Sequence, residues 1–391
     1  MNYPLYLDYN STTPLDSLVL EEMLPVMQQH FGNPASSTHA YGWYAEGLVD
    51  KARARLARLL EARAHEFIFT SGATESNNLA ILGCSRQMMA KYGQCKIITA
   101  ATEHRAVLAP VQAAAAFGCQ VKLLPIDKKG HINLDDFGTE RDDSPHLISL
   151  MLANNETGVI HDIAAITRRL REIFPQAIVH CDATQAIGKI PVSLKTLDVD
   201  LLSLSAHKFY GPKGTGALYI RATLPDSLIS PILLGGSQER GLRPGTLNVP
   251  AIVGMGRAAE LAGERLNEDA ARMHELSTSF LAKLRQGIPD LKVNGDEQNR
   301  LPGTLNISIP GMQNSDIIQA LSHKIAISAV SACSSSAAPD SHVLLAMNLE
   351  QTTVRESLRI SLGRPTTAVD MEQVADLLLS LRDKACKNTV N

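Results

Sequence analysis

No two of the six cysteines stand at CxxC spacing, no dense run of lysine and arginine occurs, and no stretch of about 18 apolar residues appears. Each absence excludes something. Scattered thiols at Cys84, Cys95, Cys119, Cys181, Cys333 and Cys386 suit neither a zinc site nor a secreted disulfide framework, so they read as reduced thiols and no metal is expected. A formal net charge of -3 without a basic run leaves no electrostatic footprint for direct nucleic-acid binding. The missing apolar span excludes a membrane helix. The start, MNYPLYLDYNSTTP, has neither a basic n-region nor a long apolar h-region, so a cytoplasmic location is expected. Repeats and low-complexity tracts are also absent. What remains is a chain of 391 residues, 45% hydrophobic and 20% charged, long enough for two packed domains around a large core.

The first two-thirds alternates short apolar runs with amphipathic stretches, the pattern of parallel strands joined by helical crossovers in an α/β sheet. Strands are predicted at 66–70, 96–101, 147–152, 177–183 and 200–206. A helix is predicted over 45–60, where Leu48, Ala52, Leu56 and Leu59 share one face. After a helix over 251–265 the text turns to longer amphipathic helices and strands such as TLNISI (304–309), which places a second, α+β domain near there.

In open parallel sheets the ligand sits beyond the carboxyl ends of the strands, and four places there carry chemistry. At Thr70-Ser71-Gly72-Ala73-Thr74-Glu75-Ser76-Asn77 a strand turns through glycine into a helix, whose free N–H groups form an anion site suited to phosphate; a simple N-cap is the plainer alternative. Asp182, in His180-Cys181-Asp182-Ala183-Thr184-Gln185, ends a buried strand. It is a loop cap, an internal ion-pair partner, or the counter-charge of a protonated pyridine nitrogen. Lys208 ends the next strand in Ser205-Ala206-His207-Lys208, as a desolvated lysine forming a Schiff base with an aldehyde would; a surface lysine is the alternative. His104, in Thr102-Glu103-His104-Arg105, is a structural loop residue or an imidazole that stacks on a planar cofactor and moves protons.

Taken in order, Ser-Gly-Ala-Thr-Glu-Ser, Thr-Glu-His, Asn-Asn-Glu-Thr-Gly, Asp-Ala-Thr-Gln and Ser-Ala-His-Lys-Phe-Tyr-Gly-Pro-Lys-Gly give the chain a specific likeness. It resembles the NifS/IscS-type cysteine desulfurases, class V, fold-type I pyridoxal-phosphate enzymes, from Tyr6-Leu7-Asp8-Tyr9 through Ser361-Leu362-Gly363-Arg364. The resemblance implies a large domain, 16–260, with a mostly parallel seven-stranded sheet between helices, and a smaller α+β domain of 1–15 and 261–391. It implies pyridoxal 5'-phosphate as cofactor and L-cysteine as substrate, converted to L-alanine while the sulfur passes to Cys333 as a persulfide. Lys208 then carries the cofactor, Asp182 pairs with the pyridine nitrogen, Gln185 reaches the phenolic oxygen, His104 stacks on the ring, and Asn155 lies beside ring and substrate. The phosphate falls to Ala73, Thr74, Ser205 and His207, with Thr246 of Arg243-Pro244-Gly245-Thr246 contributed by a second subunit, which implies a homodimer. Arg359 matches the clamp for the substrate carboxylate.

Val330-Ser331-Ala332-Cys333-Ser334-Ser335-Ser336 reads as a mobile, serine-rich loop that lets one thiol attack the substrate and deliver its sulfur, with His104 helping to activate it. Cys84, Cys95, Cys119 and Cys181 sit in apolar or helical contexts and read as inert core thiols. The sequence departs from the housekeeping pattern at Ser335–His342, at Arg243-Pro244-Gly245, and in having only 27 residues after Arg364. The acceptor or scaffold protein is thereby left open among iron–sulfur cluster assembly, nitrogenase maturation, tRNA thiolation and DNA phosphorothioation. A selenocysteine lyase or aminotransferase on the same fold would keep Lys208 and Asp182 without needing Cys333. A non-enzymatic sulfur carrier or scaffold would bind no chromophore.

Overall fold

The computed structural model describes residues 3–144, 146–329 and 340–389, with side chains up to 385. In chain order the elements begin with β1 (Leu5–Tyr6), α1 (Ser17–Gln28), α2 (Ala40–Leu60), β2 (Phe67–Thr70), α3 (Ala73–Tyr92), β3 (Lys96–Ala100), α4 (Arg105–Ala116) and β4 (Gln120–Leu124). Next come β5 (His146–Met151), α5 (Ile163–Ile173), β6 (Ile178–Asp182), α6 (Leu194–Leu197), β7 (Leu201–Ser205) and β8 (Gly216–Ile220). The last third holds α7 (Val249–Gly287), β9 (Lys292–Val293), β10 (Thr304–Ser308), α8 (Asn314–Leu321), β11 (Ile325–Ala326), β12 (Ser328–Ala329), α9 (His342–Ala346), α10 (Gln351–Arg355), β13 (Ser357–Ser361) and α11 (Ala368–Thr389).

Seven strands form one sheet in the order β2-β8-β7-β6-β5-β3-β4, and only β8 runs against the rest. Successive side chains point to opposite faces, so each strand feeds two cores. Phe67, Phe69, Ile98, Ile148, Val179 and Leu202 join α1, α2, α5 and α7 on one face. Ile68, Ile97, Leu147, Ile178 and Leu201 join α3 and α4 on the other. This is the α/β sheet between helices that the apolar runs predicted. Two strands were not legible. Four of the five residues of β4 are exposed at the sheet edge, and β8 follows a glycine-rich stretch that reads as loop. No helix among the described residues is long and apolar enough to cross a membrane.

The helix predicted to end at 265 continues to Gly287, because no proline or glycine interrupts residues 264–286. Its first half packs Ile252, Met255 and Ala259 on the large core, and its second half packs Met273, Phe280 and Leu284 on a separate one. That second core also contains Leu7 and lies against a four-stranded antiparallel sheet, β12-β13-β10-β9. Val343, Leu344, Met347 and Val354 belong instead to the large core, so α9 and α10 return from the second sheet to the rim of the first.

Candidate active site

Strands β2, β3, β5, β6 and β7 share one direction, so the segments after them meet at one edge of the sheet. A cavity of about 970 Å³ opens there, ample for a cofactor and a small substrate. The opposite wall comes from Asn10–Thr12, Arg359 on β13, and Asp340–His342. Every described candidate named from the sequence lines this cavity except Thr246. Thr246 is exposed on the loop before α7. Cys333 and the activation ascribed to its loop lie outside the described residues, as does the side chain of Cys386.

At one end of the cavity, β2 passes into α3 through Gly72, whose φ of 153° and ψ of 177° belong to a region open essentially to glycine alone. Gly72 has no side chain to cap this helix, and Ala73 and Thr74 of its first turn line the cavity. Ser205 and His207 complete that end. The turn itself is tied down, with Ser71 N donating to Glu75 Oε2 at 2.8 Å and Arg243 Nε to Glu75 Oε1 at 2.9 Å. Burial, then the Lys208 charge, pushes the His207 pKa down to about 4, so the ring is neutral near pH 7. His207 Nδ1 lies 3.1 Å from Thr12 Oγ1.

Asp182 ends β6 with 6% of its surface exposed. Its Oδ2 accepts from Asn77 Nδ2 at 2.8 Å and its Oδ1 from Thr184 N at 3.0 Å. Asn77, fully buried on α3, had no sequence signal beyond being polar within a helical stretch. Lys208 donates to the carbonyls of Asn10 at 2.6 Å and Ser11 at 2.9 Å. Burial, followed by the Arg359 charge, lowers its pKa to about 8, so a useful fraction of the amine is neutral and nucleophilic. Gln185 donates to Asn10 O at 2.9 Å, and its Oε1 accepts from Lys189 Nζ at 2.8 Å. Lys189 also donates to Asn10 Oδ1 at 2.8 Å; burial, then Lys208 and Arg359, hold its pKa well below the usual lysine range. Asn10 and Lys189 were likewise missed, since nothing in their local sequence marks them.

His104 caps α4, its Nδ1 accepting from Ala106 N at 3.0 Å. The ring faces the open cavity, yet enough protein surrounds it to lower its pKa. In the neutral ring the proton therefore sits on Nε2. Arg359 donates through Nη2 to Asp8 Oδ1 at 2.7 Å and Ser11 Oγ at 2.8 Å, and through Nη1 to Asn155 O at 3.2 Å. Its Nε is buried without a partner among the described residues. Glu156 accepts from Ser341 Oγ at 2.5 Å, and burial raises its carboxyl pKa to about 7. Glu103, fully buried beside Asp182, is pushed well above the usual carboxylate range by burial and then by that charge. Cys84, Cys95, Cys119 and Cys181 are all buried free thiols, and burial pushes the Cys95 pKa up to about 12.

These features make a consistent receptacle for pyridoxal phosphate. An uncapped helix N-terminus suits a phosphate, a carboxylate held by two donors suits a pyridinium, and a lysine of lowered pKa suits an aldehyde. The orphaned Arg359 Nε, buried at the far wall, is a donor lacking an acceptor.

The family described as Aminotransferase class-V matches residues 5–374. The cysteine desulfurase IscS of Neisseria meningitidis is 43% identical over 377 residues, 96% of this chain and 92% of that protein. Among solved structures, a NifS-like protein superposes with a TM-score of 0.90 at 36% identity, covering 97% of this chain and 99% of its own. SspA in complex with cysteine gives 0.80 at 32% identity, covering 92% and 98%.

Proposed function

The chain belongs to the class-V aminotransferase family, and we propose that it is a cysteine desulfurase, which converts L-cysteine to L-alanine and passes the sulfur to an acceptor protein. The observation that carries this reading is the pairing of Lys208, its amine partly neutral near pH 8, with Asp182 at neighbouring strand ends of one cavity. Pyridoxal phosphate, when bound, supplies the electron sink that makes the substrate Cα–H acidic.

Ala73, Thr74, Ser205 and His207 would hold the phosphate, and Asp182, fixed by Asn77, would keep the pyridine nitrogen protonated. Gln185 takes the phenolic oxygen through Nε2, the end that Lys189 leaves as a donor. Asn155, which lines the cavity, would lie beside ring and substrate. Arg359 clamps the substrate carboxylate, using the Nε that lacks a partner. Lys208 Nζ would take the Cα proton, and His104, whose ring would lie against the cofactor, would donate from Nε2. The thiolate of Cys333 attacks the substrate sulfur; the S–S bond forms as the C–S bond breaks, and a persulfide remains on Cys333.

We assign residues 16–260 to the large unit and 1–15 with 261–391 to the smaller one, a division supported by the change of core along α7. A homodimer in the cytoplasm is part of the same reading. Phe31, Tyr41, Trp43 and Leu234 are 70, 59, 57 and 88% exposed, the kind of apolar surface a second copy would cover. The sulfur then goes to an acceptor or scaffold of iron–sulfur cluster assembly or of another thiolation pathway, including DNA phosphorothioation.

Incubating the purified protein with pyridoxal phosphate and L-cysteine tests the reading. Alanine and sulfide should appear together, and Cys333→Ser should keep the cofactor absorbance but form no persulfide. No alanine from the wild type would remove the proposal.

A further inference from the structure

We propose that Lys189, on the turn after β6, is a positioning residue of the cofactor site, a second lysine whose two N–H bonds set the orientation of the Gln185 and Asn10 amides; the inference rests on the pyridoxal-phosphate reading above. Gln185 and Asn10 line the cavity, and Lys189 bonds both from outside its lining. Its Nζ donates to Gln185 Oε1 and to Asn10 Oδ1, each at 2.8 Å. An amide turned end for end hardly changes shape, so its hydrogen bonds alone decide its orientation. With both amide oxygens drawn to Lys189, both NH2 groups are turned the other way.

Each NH2 group then has a use. Gln185 Nε2 donates to Asn10 O at 2.9 Å at the cavity wall, where a phenolic oxygen needs a donor. Turned over, Gln185 would set its oxygen against the Asn10 carbonyl and its NH2 against the Lys189 N–H. Asn10 Nδ2 donates to the carbonyl of Asn155 at 3.2 Å, the same oxygen that accepts from Arg359 Nη1 at 3.2 Å. One amine therefore orders the amide proposed for the phenolic oxygen and, through Asn10, a contact of the residue proposed for the substrate carboxylate.

The count of donors gives the state in which Lys189 works. A neutral amine has two N–H groups, and both are used; an ammonium has a third, which meets no acceptor among the described residues. Neither partner is charged. The carboxylates of neighbouring segments are engaged elsewhere, Asp8 by Arg359 at 2.7 Å and Asp182 by Asn77 and the Thr184 N–H. The charges that face the amine are Lys208, after β7, and Arg359, on β13, both cationic. Burial, followed by those two charges, holds the Lys189 pKa well below the usual lysine range. A neutral Lys189 supplies two directed donors without adding a third cation beside them.

The test is pyridoxal phosphate binding by Lys189→Met, Gln185→Ala and the double variant, read from cofactor absorbance during titration. Each single change should raise the dissociation constant about tenfold. Because Lys189 acts through Gln185, the double variant should bind about as weakly as Gln185→Ala alone, an overlap that a general loss of packing does not produce. No loss in Lys189→Met, or losses that multiply to about a hundredfold, would overturn the inference. The pH profile of cofactor uptake in Lys189→Met should keep its inflection near 8, the Lys208 value; a rise of about one unit would mark Lys189 as a cation and overturn it as well. Independently of any variant, lysine-selective 15N spectra of the wild-type holo-protein at pH 7, where Lys208 is taken up by the cofactor, should show one neutral ε-amine. Ammonium signals alone would count against it. Wild type that takes up no cofactor removes the reading beneath, whereas cofactor bound with multiplying losses removes only the role of Lys189.

Discussion

Asn77 on α3 donates its Nδ2 hydrogen to Asp182 Oδ2 at 2.8 Å, joining residues 105 positions apart at the floor of the cavity. Asn77 is fully buried, so Asp182 loses one of its two donors if Asn77 is truncated. A hydrogen bond to a charged group contributes about 1.5 to 3 kcal/mol, and Asn77→Ala should cost that order of stability and loosen the cofactor. Asn77→Asp should be worse, since it sets a second carboxylate against the first. Thermal melts of holo-protein and cofactor retained after dialysis would check both; retention equal to wild type in Asn77→Asp would contradict the account.

Lys208 gives a pH prediction whose sign follows from its lowered pKa of about 8. Below that value the amine is mostly protonated and cannot attack an aldehyde. The rate at which apo-protein takes up pyridoxal phosphate should rise about tenfold per unit up to pH 8 and level off above it. Stopped-flow absorbance from pH 6 to 10 would measure this, and an inflection near the ordinary lysine value would show that the pocket does not shift the amine.

The strand ends were readable because each apolar run stops at a polar residue, and Asp182, Ser205 and Lys208 follow directly from that rule. β4 was not, because Val121 and Leu123 are 37 and 55% exposed at an edge where no burial pattern forms. Lys189, Asn10, Glu156 and His342 were missed for another reason. Their partners lie far off in sequence: Lys189 to Asn10 spans 179 positions, Ser341 to Glu156 spans 185, and His342 to Glu103 spans 239. Local pattern carries no trace of such contacts. The motif Asn154-Asn155-Glu156 was visible, but not that burial would bring the Glu156 pKa to about 7.

That raised pKa also has a consequence for stability. An unfolded glutamate titrates near 4.3, so between about pH 4 and 7 the folded state holds more protons than the unfolded chain, and stability falls as pH rises through that window. Above pH 7 the full cost of keeping the Glu156 carboxylate buried is present, of the order of 3 kcal/mol. Glu156→Gln can still accept from Ser341 and does not ionise. Its melting temperature should therefore match wild type near pH 5 and exceed it by pH 8; a gap independent of pH would mean the carboxyl does not titrate in the fold.

Arg359 should separate binding from chemistry. Its Nη2 is taken by Asp8 and Ser11, while the buried Nε has no partner among the described residues, and a substrate carboxylate is the acceptor proposed for this side chain. Arg359→Lys keeps a charge but loses the fork, a loss of about 1.5 to 3 kcal/mol in substrate binding. KM for L-cysteine should rise roughly ten- to a hundredfold with a smaller change in kcat, while the cofactor spectrum stays as in wild type. A fall in kcat at constant KM would assign the residue to the reaction instead.

Thr246 tests whether a cavity is completed by a second chain. It is exposed and lines no cavity of its own chain among those described, while Lys208 lies inside one. If Thr246 holds the phosphate in a neighbouring subunit, one damaged site and one repaired site can be made by mixing. A Lys208→Ala chain cannot anchor the cofactor but can lend its Thr246, and a Thr246→Ala chain has the reverse defect. Each mutant alone should be impaired, severely for Lys208→Ala and mildly for Thr246→Ala at limiting cofactor. In mixed dimers the Thr246→Ala chain receives the threonine of its Lys208→Ala neighbour, so half the sites in each heterodimer should recover wild-type cofactor affinity. Titrating pyridoxal phosphate into dimers reassembled from a mixture would resolve that tight class. A single weak class in the mixture would place Thr246 outside the phosphate site.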